Sequence, residues 1–195
     1  MSDSSILNQI YQHPLFKPQE LKQIVDAHER VSYCKGDFLL REGKIANEYF
    51  VLEHGLVRSF VYNYEKNDIT TDFFVEKEVV IEVSSLFQRI ASQESIQATT
   101  DCILWRIDFV IFQELFHSIE GFREWGRAWM SYQLFKTKQR SIEMITDNAT
   151  TRYLTLLKDR PLVIQQAPLK HIATYLGITD TSLSRIRKEV CDKHL

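Results

Sequence analysis

Between Leu169 and Val190 the chain reads Leu-Lys-His-Ile-Ala-Thr-Tyr-Leu-Gly-Ile-Thr-Asp-Thr-Ser-Leu-Ser-Arg-Ile-Arg-Lys-Glu-Val. Asp180, Thr181, Ser184, Arg185 and Lys188 fall together at helical spacing, while Leu183, Ile186 and Val190 share the opposite side. The polar face carries hydroxyl, guanidinium and ammonium donors, the groups that meet base edges and phosphate oxygens. Arg185 is suited to fork onto the two acceptors of a guanine.

The surrounding residues predict a helix-turn-helix that would present this face. Ala173 is small enough for close helix crossing, Gly177 supplies the turn, and Leu183 and Ile186 return apolar groups to Ile172, Leu176 and Ile178. Thr179 stands where the second helix, beginning near Asp180, needs an N-cap, although Ser182 is not the Glu or Gln of a full capping box. The inferred function is sequence-specific DNA binding. The candidate contacts are Lys170, His171, Thr179, Asp180, Thr181, Ser182, Ser184, Arg185, Arg187 and Lys188, with Lys170 and His171 aimed at phosphate.

Composition bounds the alternatives. With 195 residues, 44% hydrophobic and 26% charged, the chain has enough material for one large or two modest domains with real cores. No apolar run reaches the roughly 20 residues of a membrane span, and Met1 to Asn8 lacks the basic-then-apolar order of a signal peptide, so the expected compartment is the cytoplasm and no membrane partner is expected. Cys34, Cys102 and Cys191 lie far apart, and His13, His28, His54, His117, His171 and His194 form no His-x-x-x-His pair. Neither a metal nor any other cofactor is expected. There is no Gly-x-Ser-x-Gly elbow, phosphate-cradling glycine loop or paired carboxylate motif, so no catalytic residues are assigned and the chain is not expected to be an enzyme.

The net charge of -2 hides an asymmetry. Residues 1–146 hold 16 Lys+Arg against 21 Asp+Glu, whereas residues 147–195 hold 8 against 5. Positive charge is concentrated where phosphate would have to be neutralised.

The first half has a different grain. Pro14 to Ala27 predicts a short opening helix, after which strand-like runs appear at Phe38 to Leu40, Glu48 to Leu52, Leu56 to Tyr62, Thr70 to Val75, Ile96 to Ala98 and Cys102 to Ile107. Turn signals about every ten residues favour an antiparallel sandwich or roll. Asp108 caps a helix over Phe109 to Phe116. From Phe122 to Ile145 runs the longest helical pattern, with an apolar stripe of Trp125, Trp129, Tyr132, Phe135, Ile142 and Ile145. One small roll cannot hide so long a stripe, which predicts pairing with a second copy of the chain. Asp147-Asn148 then breaks the pattern before a helix over Ala149 to Asp159.

This order of parts resembles the transcription regulators of the cyclic-AMP receptor protein and fumarate/nitrate reductase regulator (Crp/Fnr) type over nearly the whole chain. The matching residues are Lys35-Gly36-Asp37-Phe38-Leu39-Leu40-Arg41-Glu42-Gly43, Tyr49-Phe50-Val51-Leu52, Gly55-Leu56-Val57-Arg58, Leu176-Gly177-Ile178-Thr179 and Leu183-Ser184-Arg185-Ile186. The resemblance implies an α+β fold: an N-terminal antiparallel β-roll sensor (1–120), a long dimerisation helix (121–146) and a C-terminal winged helix-turn-helix (147–195). It also implies Thr181 and Arg185 as base readers, a homodimer on two-fold symmetric double-stranded DNA, and RNA polymerase as a further partner. Asp180 stands where better-known members carry Arg or Pro. Leu162 to Gln166 would supply a short wing strand, and only five residues follow Val190, so a reduced wing is expected.

The sensor pocket departs from that pattern. Cyclic-nucleotide binders in the family hold phosphate on a short helix opened by Gly-Glu and with an Arg followed by small residues; here the first region reads Val80-Ile81-Glu82-Val83-Ser84-Ser85-Leu86-Phe87 and the second Ser92-Gln93-Glu94-Ser95. Glu82 and Glu94 would repel a phosphate. Cyclic AMP and cyclic GMP are therefore not expected to bind in the usual way unless Arg89 substitutes from a shifted loop. Glu82, Val83, Ser84, Ser85, Ser92 and Glu94 are the candidate effector residues. The competing reading is a ligand-binding or protein-interaction module whose helix-turn-helix is not used on DNA.

Overall fold

The structure, a computed structural model, describes residues 5–192; His194 lies outside them. Two short helices, α1 (Ser5–Ile10) and α2 (Pro18–Asp26), precede eight strands: β1 (Glu29–Tyr33), β2 (Phe38–Leu40), β3 (Glu48–His54), β4 (Val57–Tyr62), β5 (Asp68–Phe74), β6 (Val79–Val80), β7 (Ser95–Ala98) and β8 (Cys102–Asp108). A short α3 (Val83–Gln88) interrupts them. The remainder is helical: α4 (Phe109–Ser118), α5 (Glu120–Thr146), α6 (Ala149–Asp159), α7 (Pro161–Gln166), α8 (Leu169–Tyr175) and α9 (Asp180–Asp192). The expected strands and long helix are present. The segment Leu162 to Gln166, expected as a wing strand, instead belongs to α7, and no strand follows Asp108 among the described residues. Pro161 at the first helical position, with its fixed φ, starts a helix there.

The strands form two antiparallel four-stranded sheets, ordered β1-β8-β3-β6 and β2-β7-β4-β5. Inward residues of both, among them Leu39, Phe50, Leu52, Val57, Val80, Ile96 and Leu104, make one core between them. The turn into β4 requires a glycine: Gly55 has φ +106°, and a Cβ there would meet Asp101 O at 2.6 Å.

A second core joins α1, α2, α4 and the start of α5 to the outer face of the first sheet. Fully buried Phe122 meets the rings of Tyr11, Phe112, Phe116 and Trp125. The Tyr11 hydroxyl lies 2.8 Å from that of Tyr49 and 2.9 Å from His28 Nε2, so its polar end is satisfied inside this apolar layer. Trp125 and Trp129, expected on the intermolecular stripe, instead pack on this core within the chain; the Trp125 indole donates to Ile10 O at 2.9 Å. Beyond them α5 leaves the core, and Leu134, Phe135 and Ile145 are 72%, 64% and 85% exposed. Tyr132 and Ile142 are exposed as well.

The C-terminal helices sit directly on the second sheet. Leu56 and Phe73 of the roll share a core with Tyr153, Leu156, Val163, Ile172, Ala173, Leu176, Leu183 and Ile186. Around this core, basic groups bind the rim of β5. Arg140 of α5 donates both to Thr71 O and, at 3.0 Å, to Tyr175 O, and its guanidinium lies over the Tyr175 ring. Arg160 pairs with Asp72 and Glu78 and donates to Phe73 O at 2.6 Å. Lys136 reaches the same Glu78 at 3.5 Å.

His171 is the reverse case. Its ring is buried against β5, with Nε2 4.0 Å from Asp68 Oδ2, and neither ring nitrogen has a hydrogen-bond partner in the structure. Asp68 is held by buried Arg58 at 3.0 Å, and burial, which would raise its carboxyl, is outweighed by that bond and charge. Burial, followed by the Arg58 charge, pushes the His171 pKa down to about 4. His28, buried in the N-terminal core, is also lowered to about 4, chiefly by burial. Histidines depressed this way stabilise the fold fully above about pH 6.5 and cease to do so as pH falls toward 4, because the unfolded state then binds more protons. Urea unfolding at pH 7 and pH 4.5 should show a loss on the order of 1 kcal/mol or more. His171→Asn should reduce that loss, and an undiminished loss in the variant would contradict the burial of a neutral imidazole at this junction.

Candidate nucleic-acid interface

Helices α8 and α9 cross at Ala173, which is wholly buried, and the tight approach is secured by the bond from Ile178 N to Ala173 O at 3.0 Å. Gly177 turns the chain at φ +67°, and a Cβ there would meet Met144 Cε of α5 at 2.7 Å. Arg152 of α6 donates to Leu176 O at 2.9 Å and also to Asp147 O, so the turn is tied to the end of α5 as well. Thr179 Oγ1 accepts from Ser182 N at 3.2 Å, the side-chain cap that starts α9.

With Leu183 and Ile186 in the core, α9 turns Asp180, Thr181, Ser184, Arg185 and Lys188 to solvent. Arg185 has its side chain 76% exposed and lies 3.9 Å from Glu189, a loose i,i+4 pairing that leaves its fork open. Thr179 is exposed beside Thr181, their hydroxyls 2.9 Å apart. Ser182 and Arg187 are half-buried at the flanks of the face. Lys170 is exposed on the first turn of α8. His171, expected at phosphate, is a correction: its ring points away from this surface into the β5 junction, and a neutral imidazole in that position cannot meet DNA.

The candidate effector residues do not form an anion cradle. The Glu82 carboxylate accepts from Ser85 N at 2.5 Å and so caps α3 itself, occupying the N–H that a phosphate would need. The Ser85 hydroxyl is buried, donating to Ile90 O at 2.7 Å and accepting from Ala46 N at 2.8 Å. Ser92 Oγ is spent on Glu94 O at 2.7 Å, while Val83 and Ser84 face solvent. Glu94, just before β7, has its carboxyl raised, first by burial; bonds from Thr71 and Ser59 oppose this, and the charges of Glu82 and Asp72 reinforce it. Arg89 does not substitute: it donates to Ala46 O and Asn47 Oδ1, both at 2.5 Å, and stacks over Phe109. Among the described residues no group of His, Cys, Asp and Glu is arranged to hold a metal, and no helix is long and apolar enough to cross a membrane.

Sequence reasoning passed over Asp72, Glu78, Arg140 and Arg160, the charged residues that tie the C-terminal helices to the roll. Their only local signal is a cation on the inward side of α5, at Arg140, where the opposite side is apolar.

Residues 30–118 match the family model described as Cyclic nucleotide-binding domain. No curated protein matches the sequence. Solved structures similar over most of the chain include the c-di-GMP responsive global regulator CLP of Xanthomonas campestris, at 17% identity and TM-score 0.71, covering 92% of this chain and 94% of that one. FixK2 from Bradyrhizobium japonicum is similar at 16% identity and TM-score 0.73, covering 86% of each chain. A putative transcriptional regulator of the Crp/Fnr family from Eubacterium rectale is similar at 16% identity and TM-score 0.72, covering 94% of this chain and 88% of that one. Residues 30–118 thus match the cyclic nucleotide-binding domain model, within a chain that shares its overall fold with solved Crp/Fnr-type transcription regulators.

Proposed function

We propose that the protein is a homodimeric, sequence-specific DNA-binding transcription regulator that does not take cyclic AMP or cyclic GMP in the usual way. The observation that carries this reading is the solvent-facing side of α9, where Thr181, Ser184, Arg185 and Lys188 stand on a helix whose other side is locked into a core continuous with the sensor. A helix so presented enters a major groove with its first turns at the base edges. Arg185 reads a guanine, while Lys188 and Lys170 contact phosphate.

The second copy pairs along α5. Leu134, Phe135, Ile142 and Ile145 lie on the side of the helix opposite the inward-facing Trp129, Gln133, Lys136 and Arg140, and an exposed apolar strip of this kind is buried by a copy of itself in an isologous interface. Two recognition helices are then related by a two-fold axis, which suits a palindromic site. A signal acts by changing their separation, through unequal affinity for two arrangements.

Arg185→Ala should cost roughly 1 to 3 kcal/mol on the cognate site and relax its specificity, whereas Lys188→Ala should weaken all sequences alike and reduce the salt slope by about one. Fluorescence-anisotropy titrations at several salt concentrations separate the two, and equal loss of Arg185→Ala binding on every sequence contradicts a base-reading role. Replacing Leu134 and Phe135 together by Asp should give a folded monomer by light scattering, with a thermal midpoint that no longer depends on protein concentration, since both side chains are exposed in the single chain; a dimer mass in that variant refutes the α5 interface. Cyclic AMP at millimolar concentration should leave the thermal midpoint unmoved, and a saturable rise would overturn the assignment of Glu82 and Glu94.

A further inference from the structure

Two of the serines expected at an effector, and Arg89 beside them, hold something else in place. Ser85 Oγ accepts from Ala46 N, Arg89 grips Ala46 O and Asn47 Oδ1, and Gly43 N and Lys44 O bond to the Ser92 backbone, both at 2.8 Å. Together these pin the loop between β2 and β3. Behind the pinned loop the space between the two sheets is not filled: an open cavity of about 300 Å³ remains. Protein interiors are close-packed, and an opening of this size sits at the lower end of small-molecule sites. Of the six residues expected to bind an effector, Glu82 alone lines it, together with Val80 and Ile81 just before it, so the cavity adjoins the altered nucleotide pocket at the start of α3 and extends from there under the loop between β2 and β3.

Its chemistry is two-ended. The floor is Leu39, Phe50, Val80 and Ile96, all buried members of the roll core. Arg41 and Lys44 stand at the mouth. The Arg41 guanidinium is fixed 3.6 Å from the centroid of the Phe38 ring, and among the described residues neither cation has a carboxylate partner. The two carboxylates that also reach the cavity are committed elsewhere, Glu48 to Arg106 at 3.3 Å and Glu82 to Ser85 N at 2.5 Å. With Glu48 paired to Arg106, the two cations outnumber the one remaining carboxylate, Glu82, so the net charge at the cavity is positive, and its floor is apolar.

We propose that this cavity binds a small amphipathic carboxylate, its alkyl or aryl body on Leu39, Phe50, Val80 and Ile96 and its carboxylate between Arg41 and Lys44. Burial of the body supplies most of the affinity, and the cations select the head group. Because the loop is already bonded at Gly43, Lys44, Ala46 and Asn47, the ligand meets a mouth whose ordering cost has been met in folding.

The test is calorimetry on the full chain without DNA, so its result is independent of the DNA-binding reading. The probes are octanoate, octan-1-ol and octylamine, which share one body and differ in head charge. Octanoate should bind saturably and at least about tenfold more tightly than either of the others. In an Arg41→Gln, Lys44→Gln double variant, whose altered side chains are both exposed, the octanoate advantage should vanish while octan-1-ol binding stays as in the parent protein. No octanoate binding up to about 1 mM, equal affinity for octanoate and octan-1-ol, or an octanoate advantage that survives the double variant would each overturn the proposal.

Discussion

The arrangement depends on the docking of the helix-turn-helix against strand β5. A single guanidinium, that of Arg140, is bonded at once to the sheet at Thr71, to its own long helix and to the end of α8 at Tyr175. Arg160 repeats the device from α6 and α7, reaching Asp72, Glu78 and Phe73 O. Ion pairs at an exposed rim contribute little, but these groups also satisfy backbone carbonyls beside an apolar core, where an unpaired acceptor would be costly. The orientation of α8, and of α9 packed on it, is thus set by bonds to the β-roll.

Carboxylates occupy the region of the roll where a cyclic nucleotide would place its phosphate. A cyclic phosphate needs free backbone N–H groups and a cation, and this roll offers carboxylates in both places. Glu82 satisfies the α3 terminus from within, Glu94 is half-buried in a segment that carries no arginine, and Asp72 pairs with Arg160. These carboxylates serve as part of the internal scaffold. The serines around it now brace the loop between β2 and β3, leaving the apolar interior behind that loop as the accessible space.

Much of this was legible from local pattern, because local pattern is what fixes it. The alternation of turn signals located the strands, and the spacing of Ala173, Gly177, Thr179, Leu183 and Ile186 located the helix-turn-helix, since each depends on neighbours within one turn or one hairpin. What failed to show were features set by distant contacts. His171 sits one residue from exposed Lys170, and only its position opposite β5 buries it. The aromatic stripe on α5 was read as one surface, yet the sixteen residues from Trp129 to Ile145 advance roughly 160° around a helix, so its start faces the core and its end faces away. The run Leu162-Val163-Ile164 is compatible with a strand or a helix by composition, and Pro161 together with burial of Val163 against the α8 and α9 core decides for the helix.

The central claim is that a docked, outward-facing α9 reads DNA as one half of a symmetric pair. Its most direct test is selection of bound sequences from random duplex DNA by the purified full chain without nucleotide. Enrichment of a two-fold symmetric sequence, with half-sites about one helical turn apart, is the predicted result. Failure to enrich any sequence, while the protein stays folded and retains a salt-independent protein partner, would contradict it.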